Sequence, residues 1–243
     1  MELIVLSLLT MIASFVAGVA GFGFAVFLMG FLPLILGVKS ANVLVSLAGM
    51  PAAIYMLVPL FREIRWGILV RILVGVALGI PAGVWILVKV DERILTIGLG
   101  FFILLYVLYD ALIRTRHGKK VPLLLGYGAG FLGGAFGGAI TAGGPPVVAF
   151  LSSLDLDKRA AKATILAYIT TASLYKLFFL VYFDFITGKI LRYTAILLVP
   201  SFIGMFIGIH LFNKLSSETF RKAVLGILFG AAVVIIVKGI YGS

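Results

Sequence analysis

Glycine interrupts two apolar stretches of this chain, Ala17-Gly18-Val19-Ala20-Gly21-Phe22-Gly23 and Gly133-Gly134-Ala135-Phe136-Gly137-Gly138-Ala139-Ile140-Thr141-Ala142-Gly143-Gly144-Pro145-Pro146, and these two breaks decide the reading of the fold. They fall at corresponding places in two similar halves. Paired interruptions of hydrophobic segments are the sequence pointer to a site buried within a membrane transporter.

The rest of the composition agrees. Of 243 residues, 63% are hydrophobic and 12% charged, with a mean hydropathy of +1.24. A water-soluble domain this apolar lacks the polar groups to cover its surface. The runs are continuous rather than alternating, so helices are expected and not an outer-membrane barrel. The chain has no cysteine, which excludes disulfides, thiolate metal sites and cysteine nucleophiles. The net charge of +11 is not a nucleic-acid footprint, because the cations sit in short loops between apolar spans. The N-terminus carries Glu2 and no basic leader, and is read as a retained membrane segment.

Apolar segments run at about 3–19, 22–38, 41–60, 67–88, 93–113, 121–138, 144–154, 160–182, 190–212 and 220–240. Segments 22–38 and 144–154 follow their predecessors with no charge between, so each pair reads as a broken or re-entrant hairpin. A shift of 120 residues lays Gly18 on Gly138, Gly23 on Gly143, Lys39 on Arg159, Ala41 on Ala161, Ala52 on Ala172 and Tyr55 on Tyr175. After a small insertion near Phe183–Gly188 the shift becomes 125, laying Gly79 on Gly204, Gly83 on Gly208 and Lys89 on Lys214. Each half holds an odd number of crossings, so the halves are expected to be inverted. The expected fold is an all-α integral membrane protein. It has two inverted-topology repeats, 1–115 and 116–243, each a broken hairpin followed by three transmembrane helices.

Loop charge sets the orientation. Arg62, Arg65, Arg114, Arg116, Lys119, Lys120, Lys158, Arg159, Lys162, Lys214, Arg221 and Lys222 fall on one side. Lys39, Lys89, Arg93, Lys189, Arg192 and Lys238 fall on the other. The richer side is expected in the cytoplasm, with both termini outside. The connector Arg114–Pro122 is then a cytoplasmic link.

The breaks carry the chemistry. Gly126, Gly130, Gly134 and Gly138 recur every four residues, a smooth stripe for close helix packing that can serve a homodimer as well as the monomer. Proline suits the first turn of a helix, so a new helix is expected near Pro145, with a partner near Gly21-Phe22-Gly23. Helix N-termini expose unpaired amides and a partial positive charge. Two such ends facing each other at mid-membrane would hold a small anion without a full cationic side chain.

The hairpins, the inverted halves and the Gly143-Gly144-Pro145-Pro146 turn resemble the TauE/SafE family of membrane transporters. So do Lys39-Ser40-Ala41-Asn42-Val43 and Lys158-Arg159-Ala160-Ala161-Lys162-Ala163-Thr164, after each hairpin. The resemblance covers essentially the whole chain. It implies movement of sulfite or organosulfonates across a bacterial plasma membrane. Asn42 and Leu44 depart from the family's usual Gly-Thr step, which bears on ligand identity.

The candidate ligand residues are Gly21, Phe22, Gly23, Gly143, Gly144 and Pro145 at the turns, with Asn42, Ser46, Thr164, Thr171 and Lys176 as side chains. Thr164, Tyr168, Thr171 and Tyr175 share one helical face, open either to ligand or to interhelical hydrogen bonding. Lys176 lies about 100° round from that face; it either serves the site or snorkels outward. Arg71 and Asp110 lie near span ends, and His117 and His210 in loop or interfacial positions. No acid stands near mid-membrane, so carboxylate proton relay is unsupported, and H+ or Na+ is left as a coupling ion. No cofactor and no metal are expected. Without HExxH, a cysteine nucleophile or a serine paired with histidine, enzyme chemistry is not expected. A passive anion channel and a non-transporting assembly subunit are the alternatives.

Overall fold

The computed structural model describes residues 2–112, 121–211 and 217–241, and among these all regular structure is helical. The elements are α1 (Glu2–Ala20), α2 (Phe24–Met29), α3 (Pro33–Leu36), α4 (Val38–Leu57) with a 3₁₀ turn at Val58–Glu63, α5 (Trp66–Lys89), α6 (Glu92–Leu112), α7 (Leu125–Ile140), α8 (Gly144–Ser152), α9 (Lys158–Tyr182), α10 (Gly188–Leu211) and α11 (Ser217–Tyr241). Seven of them are long and apolar enough to cross a bilayer: α1, α4 with its 3₁₀ extension, α5, α6, α9, α10 and α11. Of the connector between the halves, Arg114, Arg116, His117, Lys119 and Lys120 lie outside the described residues, as does Lys214.

Many large apolar side chains on the long helices point outward. Leu78, Trp85, Leu105, Phe178 and Val199 are exposed, as lipid-facing positions should be. In lipid there is no hydrophobic gain between helices, so association depends on close packing at small residues. Glycine supplies it here. A Cβ on Gly138 would meet the Ile80 carbonyl at 2.7 Å, and one on Gly18 would meet the Met205 carbonyl at 2.7 Å. On the opposing helices, Gly79 and Gly83 of α5 rest on the Phe131 and Ala135 carbonyls of α7, while Gly204 and Gly208 of α10 rest on those of Met11 and Phe15 of α1. The pairs α5–α7 and α1–α10 are thus packed by the same positions, offset by 120 or 125 residues.

One expected segment is divided. The stretch 22–38 is not one helix but α2 and α3, separated at Gly30–Leu32. Pro33 has no N–H to give the Met29 carbonyl, and its ring crowds that position. Gly37, at φ +79°, then closes α3. The Glu92 carboxylate sits over Gly37 and accepts the Lys39 N–H at 3.2 Å, capping α4. At the other end of the molecule Asp157 caps α9, its Oδ2 accepting the Ala160 N–H at 3.1 Å. That bond, with the nearby Arg65 guanidinium, holds the Asp157 carboxyl below its ordinary range.

Candidate functional site: a cavity between two helix breaks

The two breaks and the helices α4 and α9 enclose one cavity of about 110 Å³. Pockets for drug-sized ligands run to roughly 300–1,000 Å³, so this one is scaled to a small solute. Lining positions recur at the 120-residue offset: Gly21 and Thr141, Gly23 and Gly143, Gly49 and Ile169, Ala53 and Ser173, Met56 and Lys176. Ile80 of α5 and Met205 of α10 join them at the 125 offset.

The second break is held by side chains from two other helices. The last carbonyls of a helix lack intrahelical partners and carry a partial negative charge. At the end of α7, Lys176 Nζ donates to the Gly137 carbonyl and to Thr141 Oγ1, both at 2.8 Å. Asn42 Nδ2 donates to the carbonyls of Gly138 at 3.3 Å and Ala139 at 2.8 Å. Thr141, held at φ +54°, gives its hydroxyl to the Asn42 carbonyl at 3.2 Å. The Ser46 hydroxyl donates to that same carbonyl at 2.7 Å. Across the turn, Tyr168 donates to the Gly143 carbonyl at 3.0 Å. Helices α4, α7 and α9 are thereby tied at one point.

Lys176 is only 3% exposed. An ammonium has three donors, and two are met by neutral oxygens. No carboxylate pairs with it, and no Asp or Glu lines the cavity among the described residues. No cluster of metal-ligating side chains occurs among the described residues either.

The amide ends contribute less than the sequence implies. The first four N–H positions of a helix are unpaired. In α8 they fall on Gly143, Gly144, Pro145 and Pro146, and the prolines have no N–H. Only the two glycine amides are left there. Gly21 lies against the Lys162 stem, where an added Cβ would meet Cγ at 3.0 Å. Thr141 binds Lys176, fourteen residues further along α9, or about 21 Å at 1.5 Å per residue. The Lys176 amine stands at the second break.

Of the residues singled out from sequence, Gly21, Phe22, Gly23, Ser46, Gly143, Gly144 and Lys176 line the cavity. Asn42, Pro145, Thr164 and Thr171 do not. Asn42 is wholly buried with its amide turned onto α7. Pro145 is buried in the first turn of α8 and sets where that helix starts. The Thr164 hydroxyl donates to the Ala160 carbonyl at 2.7 Å and accepts the Arg65 N–H at 3.2 Å, which fastens α9 to the start of α5. Thr171 is exposed, and Tyr175 reaches the Ala77 carbonyl of α5 at 3.3 Å. The cavity face of α9 is instead Leu166, Ile169, Ser173 and Lys176. Ser173 was legible in principle, being three residues from Lys176 on one helical face. Thr141, Met56 and Met205 carried no sequence signal of their own.

A family model described as Sulfite exporter TauE/SafE matches residues 6–235 of the chain. No curated protein and no solved structure gives a significant match.

Proposed function

The chain belongs to the TauE/SafE family, and from that premise we propose that it is a secondary transporter moving a small anion, of sulfite or sulfonate type, across the plasma membrane. Membership of a transporter family and seven helices long and apolar enough to cross a bilayer support a multi-pass membrane protein of transport function, and favour that reading over an enzyme.

The observation that carries the finer reading is the Lys176 ammonium. Burying a lone charge within a membrane protein costs several kcal/mol unless a counter-charge compensates it. Neutral oxygens fill two donors, and the cavity supplies no protein anion. A solute anion in the cavity would complete the third donor and the charge, with the Gly143 and Gly144 amides close by.

Alternating access would come from two inverted repeats, 1–115 and 116–243, rocking about this cavity. The matched glycine contacts of α5–α7 and α1–α10, and the lining pairs at one offset, support that reading. The loop-charge bias supports termini outside, and a bacterial plasma membrane is the setting the family implies. Coupling to H+ or Na+ belongs to the proposal as the energy source.

The test is flux of radiolabelled sulfite and methanesulfonate into proteoliposomes holding the purified chain. Saturable uptake that responds to an imposed H+ or Na+ gradient is expected. Non-saturating conduction would make the protein a channel, and no anion flux would overturn the proposal.

A further inference from the structure

The cavity is chemically divided along its length. Lys176 and Ser173 stand at one end, beside Thr141, Gly143 and Gly144. The hydroxyls of Ser46, Thr141 and Tyr168 are already donated to carbonyls. The Ser173 hydroxyl meets no partner among the described residues, which leaves it and the third Lys176 donor free for a ligand. The other end is formed by Ala52, Met56, Leu166 and Met205, a buried cluster with no polar side chain. Leu166 and Lys176 are ten residues apart on α9, about 15 Å along its axis. The cavity volume is about 110 Å³.

The division follows the 120-residue offset. Met56 is the counterpart of Lys176, and Ala53 the counterpart of Ser173. One framework therefore offers an ammonium and a hydroxyl at one end, and a thioether and a methyl at the other. Lys162, beside the first break, turns its aliphatic stem to Gly21 and does not line the cavity.

We infer that the cavity takes an anion with an apolar tail: the head lies on Lys176 and Ser173, and the tail runs past Ala53 and Met56 toward Leu166. This rests on the anion reading proposed above and narrows it. A bare oxyanion such as sulfite gains the head contacts and leaves the apolar half empty. An alkanesulfonate has the same kind of head and carries a tail toward the apolar half.

The test is calorimetric titration of the purified full-length chain with sulfite and with methane-, ethane- and propanesulfonate. Affinity is expected to rise about fourfold per added methylene, the value of burying one CH₂. In Met56→Trp the gain with chain length is expected to vanish. The homologous series on the wild-type chain decides the question even where that variant fails to fold. A flat series, or sulfite binding tighter than propanesulfonate, overturns the inference and leaves the anion reading standing. Absence of binding by every anion overturns both.

Discussion

Lys176→Met separates the ligand role of the ammonium from its structural role. Methionine is unbranched and of similar length, so the space stays filled. The two acceptors that lose the ammonium are not orphaned. The Gly137 carbonyl still takes the Thr141 N–H at 3.1 Å, and Thr141 Oγ1 still donates to the Asn42 carbonyl at 3.2 Å. Exchanging a buried charge for a well-packed apolar group is often neutral or stabilising. The variant is therefore expected to melt at or above the wild-type temperature. Binding should behave otherwise. A charge-assisted hydrogen bond contributes about 1.5–3 kcal/mol, so methanesulfonate affinity should fall roughly 10- to 150-fold. Calorimetry gives the affinity, and thermal unfolding in the same detergent gives the stability. A folded Lys176→Met protein that binds methanesulfonate as the wild type does refutes the reasoning.

Asn42→Ala removes both donors from the Gly138 and Ala139 carbonyls, and should lower stability by about 1–3 kcal/mol, read as a drop in melting temperature. Asn42→Asp should be at least as damaging, since a carboxylate cannot donate to either carbonyl. Gly83→Leu and Gly208→Leu should each force a packed helix pair apart at a cost of about 1–3 kcal/mol or more; one neutral and one damaging variant would count against equivalence of the two pairs. Gly143→Val should abolish flux while membrane levels hold, because its Cβ meets Tyr168 Oη at 2.6 Å and Gly137 Cα at 3.0 Å; wild-type flux would remove the second break from the site. The chain has no cysteine, so Met56→Cys and Ser46→Cys can be compared directly: without ligand, a membrane-impermeant thiol reagent should label position 56 from the Lys162 side and spare position 46 from the Asn42 side.

The membrane class, the helical spans and the matched glycines were legible because each depends on side-chain size and polarity along one segment. The division of 22–38 was only half visible. Pro33 marked the place, but helix breaking depends on whether neighbours supply the lost bond, which a sequence does not display. The site was less legible for a similar reason. Thr164 and Asn42 are polar residues on spans facing the breaks, so they look like ligand contacts. Both are consumed by backbone groups that the folding brings to them: the Arg65 N–H in one case and the end of α7 in the other. Ser173 looks ordinary in sequence and becomes a candidate because nothing in the fold uses its hydroxyl. In lipid, unpaired backbone groups recruit polar side chains first, so the polar residues left over are the better guide to the ligand.

That ordering also explains why the two halves agree in packing and differ in chemistry. The glycines of α1, α5, α7 and α10 must satisfy the same geometric demand at two interfaces, and they match in position. The cavity makes no such demand. Thr141, Lys176 and Asn42 correspond at the 120 offset to Gly21, Met56 and Lys162. At the first break glycine has no hydroxyl, methionine has no donor, and Lys162 lays its stem along Gly21. The three-helix tie therefore exists at one end of the cavity only. A ligand anion that takes the third Lys176 donor would meet that tie, and at this end only. The opposite end, with Met56, Ala52 and Met205, has no comparable bond. Two similar halves thus agree where backbone packing binds them and differ where it leaves the lining free, and the cavity has two chemically unlike ends.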